Sequence, residues 1–534
     1  MYIAPNTTIK LYTFVPLDNS YKNTLWFDDI NAQNNYFHGD TGILRKAYTE
    51  NSYQRVHKNK IRINESADFL YCCSYLAFQN TNFGNKWFYA FILSVEYVNN
   101  AVCEITYEID VMQTYLFDIS LKECLVEREH ASIDAIGFNI VPEPVELGGY
   151  IQHGECEPLL NDGIISGNDI VVACAEQYSN TVPPDYITPG TWKPADGELI
   201  TNVYQGVKFN IFTEGVNQIS NVNAFLKFAT KDNKQDAIIS VFMCPHYITN
   251  AIQNNGNMGS KTLTNFVGAD FEGYVPKNNK LYTYPYNFLY LTSGDDKSAE
   301  YRFEWFANPN AIVFDRRAQM SCTPSAGVIP TNYKNGKQRA NVLEVYGDLD
   351  NIVTKDNFPV CSYTIDSFRA WLAQNVYNLW ASPLTSVMGM IGNGMVGNTF
   401  GAVSSGASGV VNPAVSVANA TRLPAKNKGN TNANNILFSM GANDIYACRK
   451  GVQGGFAHLI DDFFTKYGYA MEYIKVPNRN VRKEFTYTKT RGCVAVGICP
   501  ADDTKKICDI YDNGITFWKN AQNVGNYSVD NSTL

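Results

Sequence analysis

Charge is the scarcest ingredient of this 534-residue chain. Asp, Glu, Lys and Arg make up 18% of it, against about 25% in an average soluble domain. A disordered chain shows the reverse, many charges and few aromatics; here Tyr, Phe and Trp reach 13%. The sign is also wrong for a dedicated nucleic-acid binder, since the net charge is −8 where such proteins carry a basic excess. The 38 glycines follow no three-residue period, which excludes collagen. A mean hydropathy of −0.23 argues against a polytopic membrane protein.

Motifs are scarce too. Met1 to Lys10 contains neither the basic nor the apolar region of a secretory signal. Thirteen cysteines spread from Cys72 to Cys508 without a Cys-x-x-Cys pair, and are expected to be reduced core residues of a protein made in a cytosol. The six histidines (His38, His57, His130, His153, His246, His458) are isolated, so no metal and no cofactor is expected. There is no Gly-x-Ser-x-Gly elbow and no Walker A loop, and Gly392-Asn393-Gly394 lacks the third glycine of a dinucleotide fingerprint. The densest ionisable cluster is Glu127-Arg128-Glu129-His130. It could form a carboxylate–His pair for acid–base work. In a strand, however, Glu127 and Glu129 share a face with His130 opposite, and a surface or inter-subunit ion pair is expected. A paired-carboxylate glycosidase leaves no motif, but nothing here demands an enzyme, and no catalytic residue is assigned.

What is present is mainly β. The length suggests roughly three or four domains. Short β-branched and aromatic runs, such as Trp87–Leu93 and Val102–Ile109, are separated by turn signals at Phe83-Gly84-Asn85 and Asn99-Asn100. Similar runs continue at Asp169–Ala173, Val207–Ile211 and Ala237–Phe242. Two stretches carry helical periodicity instead. One places Ile365, Phe368, Trp371, Leu372 and Val376 on one face, with Asp366 and Ser367 to cap it. The other runs Phe456, Leu459, Ile460, Phe463, Phe464 and Tyr467, and should end at Gly468.

From Ala370 to Thr421 there are 52 consecutive residues without Asp, Glu, Lys, Arg or His, where the chain average predicts about nine charges. Its apolar positions are Leu384, Val387, Met388, Met390, Ile391, Met395, Val396, Phe400, Val403, Val410, Val411, Val415 and Val417. Interleaved glycines include Gly389, Gly392, Gly394, Gly397 and Gly401, Pro383 and Pro424 bracket it, and Arg422, Lys426 and Lys428 follow. Glycine at this density makes a poor soluble helix, and the composition is too apolar for a linker. The 38 residues from Leu384 to Thr421 suffice for a hairpin of two spans of roughly 18–20 residues. Small side chains allow close helix packing and the trailing basic residues suit anionic headgroups. Asn393 and Asn398 would need partners in lipid, which several copies could supply. A protein-buried or disordered loop explains the same residues equally well.

Several blocks resemble the tail-knob (distal tail-tube) protein of the small short-tailed Picovirinae-type phages, the phi29 group. They are Val15–Phe27, Phe78-Gln79-Asn80, Phe83–Phe91, Tyr107–Thr114 and Arg128-Glu129-His130, then Phe463–Tyr469, Val476-Pro477-Asn478, Tyr511–Trp518 and Gly525–Val529. Met388–Gly392 resembles the start of that family's apolar loop. The likeness covers about the first 130 residues, the last 80 and this loop. It implies a virion protein at the distal tip of the tail, made in the host cytoplasm. It further implies a homohexameric β-barrel tube that stacks on an adjoining tail tube protein, and genomic DNA passing its lumen without sequence-specific binding. The apolar loop would plug the lumen and later penetrate host membrane lipids. The expected division is an N-terminal β tube domain at 1–135 and a middle β-rich region of one or two subdomains at 136–360. A helix plus pore-forming loop follows at 361–430, with its core at 384–421, then an α+β segment at 431–534 returning to the tube. The alternatives are a receptor-binding or cell-wall-hydrolysing tail protein with its site between residues 140 and 360, and a secreted pore-forming toxin, which the missing signal disfavours.

Overall fold

The computed structural model describes residues 7–51, 59–81, 84–161, 167–175, 192–196, 199–200, 203–204, 207–231, 237–252, 256–294, 297–319, 325–331, 333, 352–356, 360–365, 426–430, 437–438 and 443–534. The fold is mostly β, as the sequence predicts. The chain forms two compact units: Met1–Ile151 with Ala269–Asn287 and Gly451–Leu534, and Gln152–Gly268 with Phe288–Lys450.

In the first unit the strands are β1 (Thr7–Tyr12), β2 (Asn23–Leu25), β3 (Leu44–Asn51), β4 (Lys60–Ile63), β5 (Tyr75–Asn80), β6 (Phe88–Asn99), β7 (Val102–Ile109), β8 (Ile119–Leu121) and β9 (Cys124–Glu129). Six of them make an antiparallel sheet in the order β3-β1-β5-β6-β7-β4. Gly84 and Asn85, both at positive φ, make the turn before β6. Because successive side chains in a strand alternate faces, Tyr75, Ala77, Tyr89 and Phe91 enter one core while Leu76 and Ala90 enter another with Ile9, Leu11 and Ile105. Burial on both faces is why this part of β6 reads as an unbroken apolar run instead of an alternating one.

The C-terminal residues cover the first of those faces. Phe485, Ile507, Tyr511, Ile515 and Trp518 share a core with Tyr75, Tyr89 and Phe91. A second sheet runs β2, Ile515–Trp518, Phe485–Arg491, β9, Tyr469–Lys475, so strands from both ends of the chain are interleaved within it. β2 lies parallel to Ile515–Trp518, and the other neighbours are antiparallel. The helix Gly454–Tyr467 forms as expected and ends at Gly468. That glycine sits at φ +66, and a Cβ there would lie 2.1 Å from the Glu129 carbonyl oxygen. The buried face is Ala457, Ile460, Asp461, Phe464 and Thr465, and Leu459 is 65% exposed. The expected stripe is thus rotated, because the polar Asp461 has buried partners.

Two of the blocks quoted above owe their residues to this unit. Asp110 in Tyr107–Thr114 caps the turn Val111–Thr114 by accepting from the N–H groups of Met112 and Gln113, and accepts from the Tyr75 hydroxyl at 2.8 Å. Burial holds its carboxyl up at about 6. Gln113 donates to Thr24 Oγ1 and the Leu25 carbonyl, tying this turn to β2. Trp518, fully buried, donates from Nε1 to Asn23 Oδ1 at 2.8 Å and packs on Phe485 and Tyr527.

The second unit contains a six-stranded sheet in the order Trp192–Asp196, Lys208–Phe212, Asn168–Cys174, Ile238–Pro245, Val360–Ile365, Lys426–Asn430. The helix Gln218–Lys231 covers it through Val222, Phe225 and Ala229, which meet Val172, Phe212 and Val241. A four-stranded sheet comprises Asn257–Thr264, Ala311–Gln319, Ser325–Thr331 and Val353–Lys355. The expectation that all cysteines are reduced is corrected here: Cys156 and Cys448 form a disulfide across 292 residues. Their ladder is too distant in sequence for any spacing rule to reveal.

Trp518→Ala is expected to lower the unfolding free energy of the first unit by about 3–5 kcal/mol, and Trp518→Phe by less. Urea titration followed by near-ultraviolet circular dichroism checks the order of the two.

Candidate functional site

All the sequence-predicted site residues, Leu384 to Val417, lie outside the described residues. So do Phe368, Trp371, Leu372 and Val376 of the expected helix. Ile365, expected to begin that helix, instead ends the strand Val360–Ile365.

The flanks of the charge-free segment are described, and they meet. Val360–Ile365 runs antiparallel to Lys426–Asn430, with Ile365 opposite Lys426, Thr364 opposite Asn427 and Tyr363 opposite Lys428. The strand Val360–Ile365 is itself held to the sheet by pairing of Val360 with Phe242. The 60 residues between Ile365 and Lys426 therefore leave and return at one point of the sheet, at its edge. Two of the three basic residues that follow the segment, Lys426 and Lys428, occupy this returning strand. Among the described residues no helix is long and apolar enough to cross a membrane.

The same sheet carries a polar group that sequence reading does not single out. Asp169 is fully buried and accepts from His246 Nδ1 at 2.9 Å, from the Glu214 N–H at 3.1 Å and from the Thr249 hydroxyl. Some 45 to 80 residues separate these partners, so no local pattern announces them. A His–Asp pair resembles part of a hydrolytic triad, but the nearby Cys244 is buried, and its thiol is pushed well above the usual range by burial and by Asp169. It is thus held as the thiol and not as the nucleophilic thiolate. Thr249 shares its single hydroxyl proton between Asp169 and the His246 carbonyl. The group ties the short helix His246–Ile252 to the sheet.

In the first unit, the Glu127–His130 cluster departs from expectation. Glu127 does form exposed ion pairs, with Lys489 at 2.6 Å and Arg491 at 2.8 Å. Glu129 is instead fully buried, bound to Lys475 Nζ, the Asn478 N–H and the Asn478 amide. The alternation fails because β9 bulges at Glu127: Arg128 faces Lys489 while Val126 faces the very next residue, Thr490. His130 is buried as well. Its Nδ1 accepts from the Tyr487 N–H at 2.8 Å, and its Nε2 therefore donates to the Thr465 carbonyl at 3.0 Å. Burial and the neighbouring Arg482 and Arg128 lower its proton affinity to about 3. Glu129 and His130 bind different partners, so they do not act as an acid–base pair. They stitch strands together.

A family profile described as the C-terminal domain of the tail knob protein gp9 of Bacillus phage phi29 matches residues 247–532, more than half of the chain. The chain belongs to that family. A profile of the N-terminus of caudoviral major tail proteins matches residues 5–121. The tail knob proteins gp9 of Bacillus phage PZA and of phage phi29 are each 26% identical to it, and that of phage B103 is 24% identical. In each case 98% of both chains is covered. The solved tail knob protein gp12 of bacteriophage C1 has a similar fold, with a TM-score of 0.61 at 13% identity over 99% of this chain and 100% of that one. The protein is a structural component of the virion tail. Family likeness also runs through residues 140–360, which the quoted blocks do not reach.

His130 must stay neutral in the folded chain but takes up a proton below about 6.5 when unfolded. The folded state binds no proton there until about 3, so stability is lost as pH falls from 6.5. The expected slope is about 1.4 kcal/mol per pH unit. Denaturant titrations between pH 6 and 4 on wild type and His130→Gln check this: the variant's slope is expected to be smaller by one proton.

Proposed function

We propose that this chain forms a homohexameric wall of the tail, stacked on an adjoining tail tube protein, whose lumen conducts the genome during ejection. The segment around residues 384–421 plugs that lumen beforehand and then enters the host membrane as a channel. The observation that carries this reading is the pairing of Ile365 with Lys426. A segment whose ends are neighbours must cross a bilayer an even number of times. Its 38 charge-free residues from Leu384 to Thr421 supply two spans of roughly 27–30 Å each.

Oligomerisation supports the rest of the reading. Strands from six copies joined into one barrel leave no unpaired sheet edge. Six copies bring the Asn393 and Asn398 amides together, so that each has partners. Arg422 and Lys426, just past the segment, suit anionic headgroups. A net charge of −8 per chain gives DNA little reason to linger. The relatives are named for a part of the virion and not for a reaction, and among the described residues the rival reading as a cell-wall hydrolase finds no available nucleophile beside Asp169 and His246.

Deleting Leu384–Ala420 is expected to leave six-fold rings in negative-stain images while dye release from liposomes falls to the buffer level. Full release by the deleted protein overturns the channel. Sugars or peptides freed from host cell walls by the intact protein would favour the hydrolase.

A further inference from the structure

We infer that Cys156 and Cys448 are an oxidation site filled after the chain leaves the cytosol, and that their bond clasps the second unit at its chain ends. The two segments that carry them are an antiparallel ladder in their own right. Glu157 pairs with Ala447 and Pro158 with Tyr446, and the Leu159 N–H donates to the Ile445 carbonyl at 2.9 Å. Counting back along this register puts Cys156 opposite Cys448 in a non-hydrogen-bonded position, where Cα atoms lie about 4.5 Å apart. The observed separation is 4.4 Å. On either side the backbone holds the segments together without sulfur. The His153 N–H donates to the Arg449 carbonyl at 2.9 Å, and the Leu160 and Asn161 N–H groups donate to the Asp444 carboxylate at 2.9 and 2.8 Å. The ladder therefore presents the two thiols to each other before any bond exists.

A bacterial cytosol keeps such thiols reduced. Outside it, a small-molecule disulfide is a sufficient oxidant. Cys156 is partly exposed and Cys448 is buried, so the reagent meets Cys156 first. The Cys156 thiolate attacks one sulfur of the small disulfide and expels a small thiol. Cys448 then gives up its proton and attacks the Cys156 sulfur, expelling the second. Two protein thiols are oxidised and one small disulfide is reduced to two thiols. Of the other described thiols, Cys73, Cys103, Cys124, Cys174 and Cys244 are buried and compete poorly, burial raising Cys174 to about 12 and Cys244 further. The exposed Cys72 is open to the same reagent but lies opposite no ladder partner thiol in the way Cys156 does.

The bond closes a covalent ring from residue 156 to residue 448, and residues 366–425 lie within it. This inference does not require the channel reading.

The test is acid quenching, alkylation and peptide mass spectrometry on infected cells and on released particles. Both cysteines are expected to be alkylated in cells and joined as one linked peptide in particles. A linked peptide already present in cells, or two alkylated thiols in particles, overturns the inference. Independently, reductant is expected to lower the thermal transition of the second unit in the purified oxidised chain by roughly 5–15 °C. The Cys156→Ser, Cys448→Ser double variant should melt at the reduced value with or without reductant. A wild-type transition that ignores reductant overturns the clasp.

Discussion

A sheet with two apolar faces needs covering twice, and the three short helices of the first 120 residues do so only in part. The β5–β6 pair sends Tyr75, Tyr89 and Phe91 to one side and Leu76 and Ala90 to the other. The second side is closed locally by Ala67 and Leu70. The first is packed in part by Tyr21, Phe37 and Met112 from the same end of the chain, and is completed by Phe485, Ile507 and Trp518, more than 350 positions away. The chain leaves the first unit twice, after Ile151 and after Asn287, and returns to it at Ala269 and at Gly451. The parallel pairing of Asn23–Leu25 with Ile515–Trp518 records the final return in hydrogen bonds.

The scarcity of charge takes on a different meaning beside the interior. Several of the few carboxylates are buried, each with a full set of donors. Asp461 accepts from the Lys277 and Asn278 N–H groups, the Asn278 amide and the Tyr274 hydroxyl, joining its helix to Tyr274–Asn278. Glu129 does the same for Lys475 and Asn478, and Asp110 for Tyr75 and the turn after β7. A buried carboxylate is costly unless fully hydrogen-bonded. It is then a directional fastener between segments that packing alone would leave free to slide.

Local features were the ones legible in the amino-acid order. The strands around Trp87–Leu93 and Val102–Ile109, the Asn99-Asn100 turn and the Gly468 stop all depend on neighbours within about ten residues. What escaped depended on distance or on a single inserted residue. The bulge at Glu127 turned a surface carboxylate into a buried one at Glu129, and no periodicity anticipates one extra residue. Asp169 meets His246 across 77 positions, and Cys156 meets Cys448 across 292. The charge-free stretch was conspicuous by composition alone, yet the pairing of its two ends belongs to a ladder that composition does not encode.

That ladder has an evolutionary corollary. Joining Ile365 to Lys426 at one spot makes the intervening 60 residues an insertion whose length the host sheet hardly registers. Doubling a flexible loop adds only about 0.6 kcal/mol to the entropy of closing it. A mutational history can thus lengthen, shorten or rewrite the segment while leaving every strand of the sheet in register, and selection on its length acts through what it reaches.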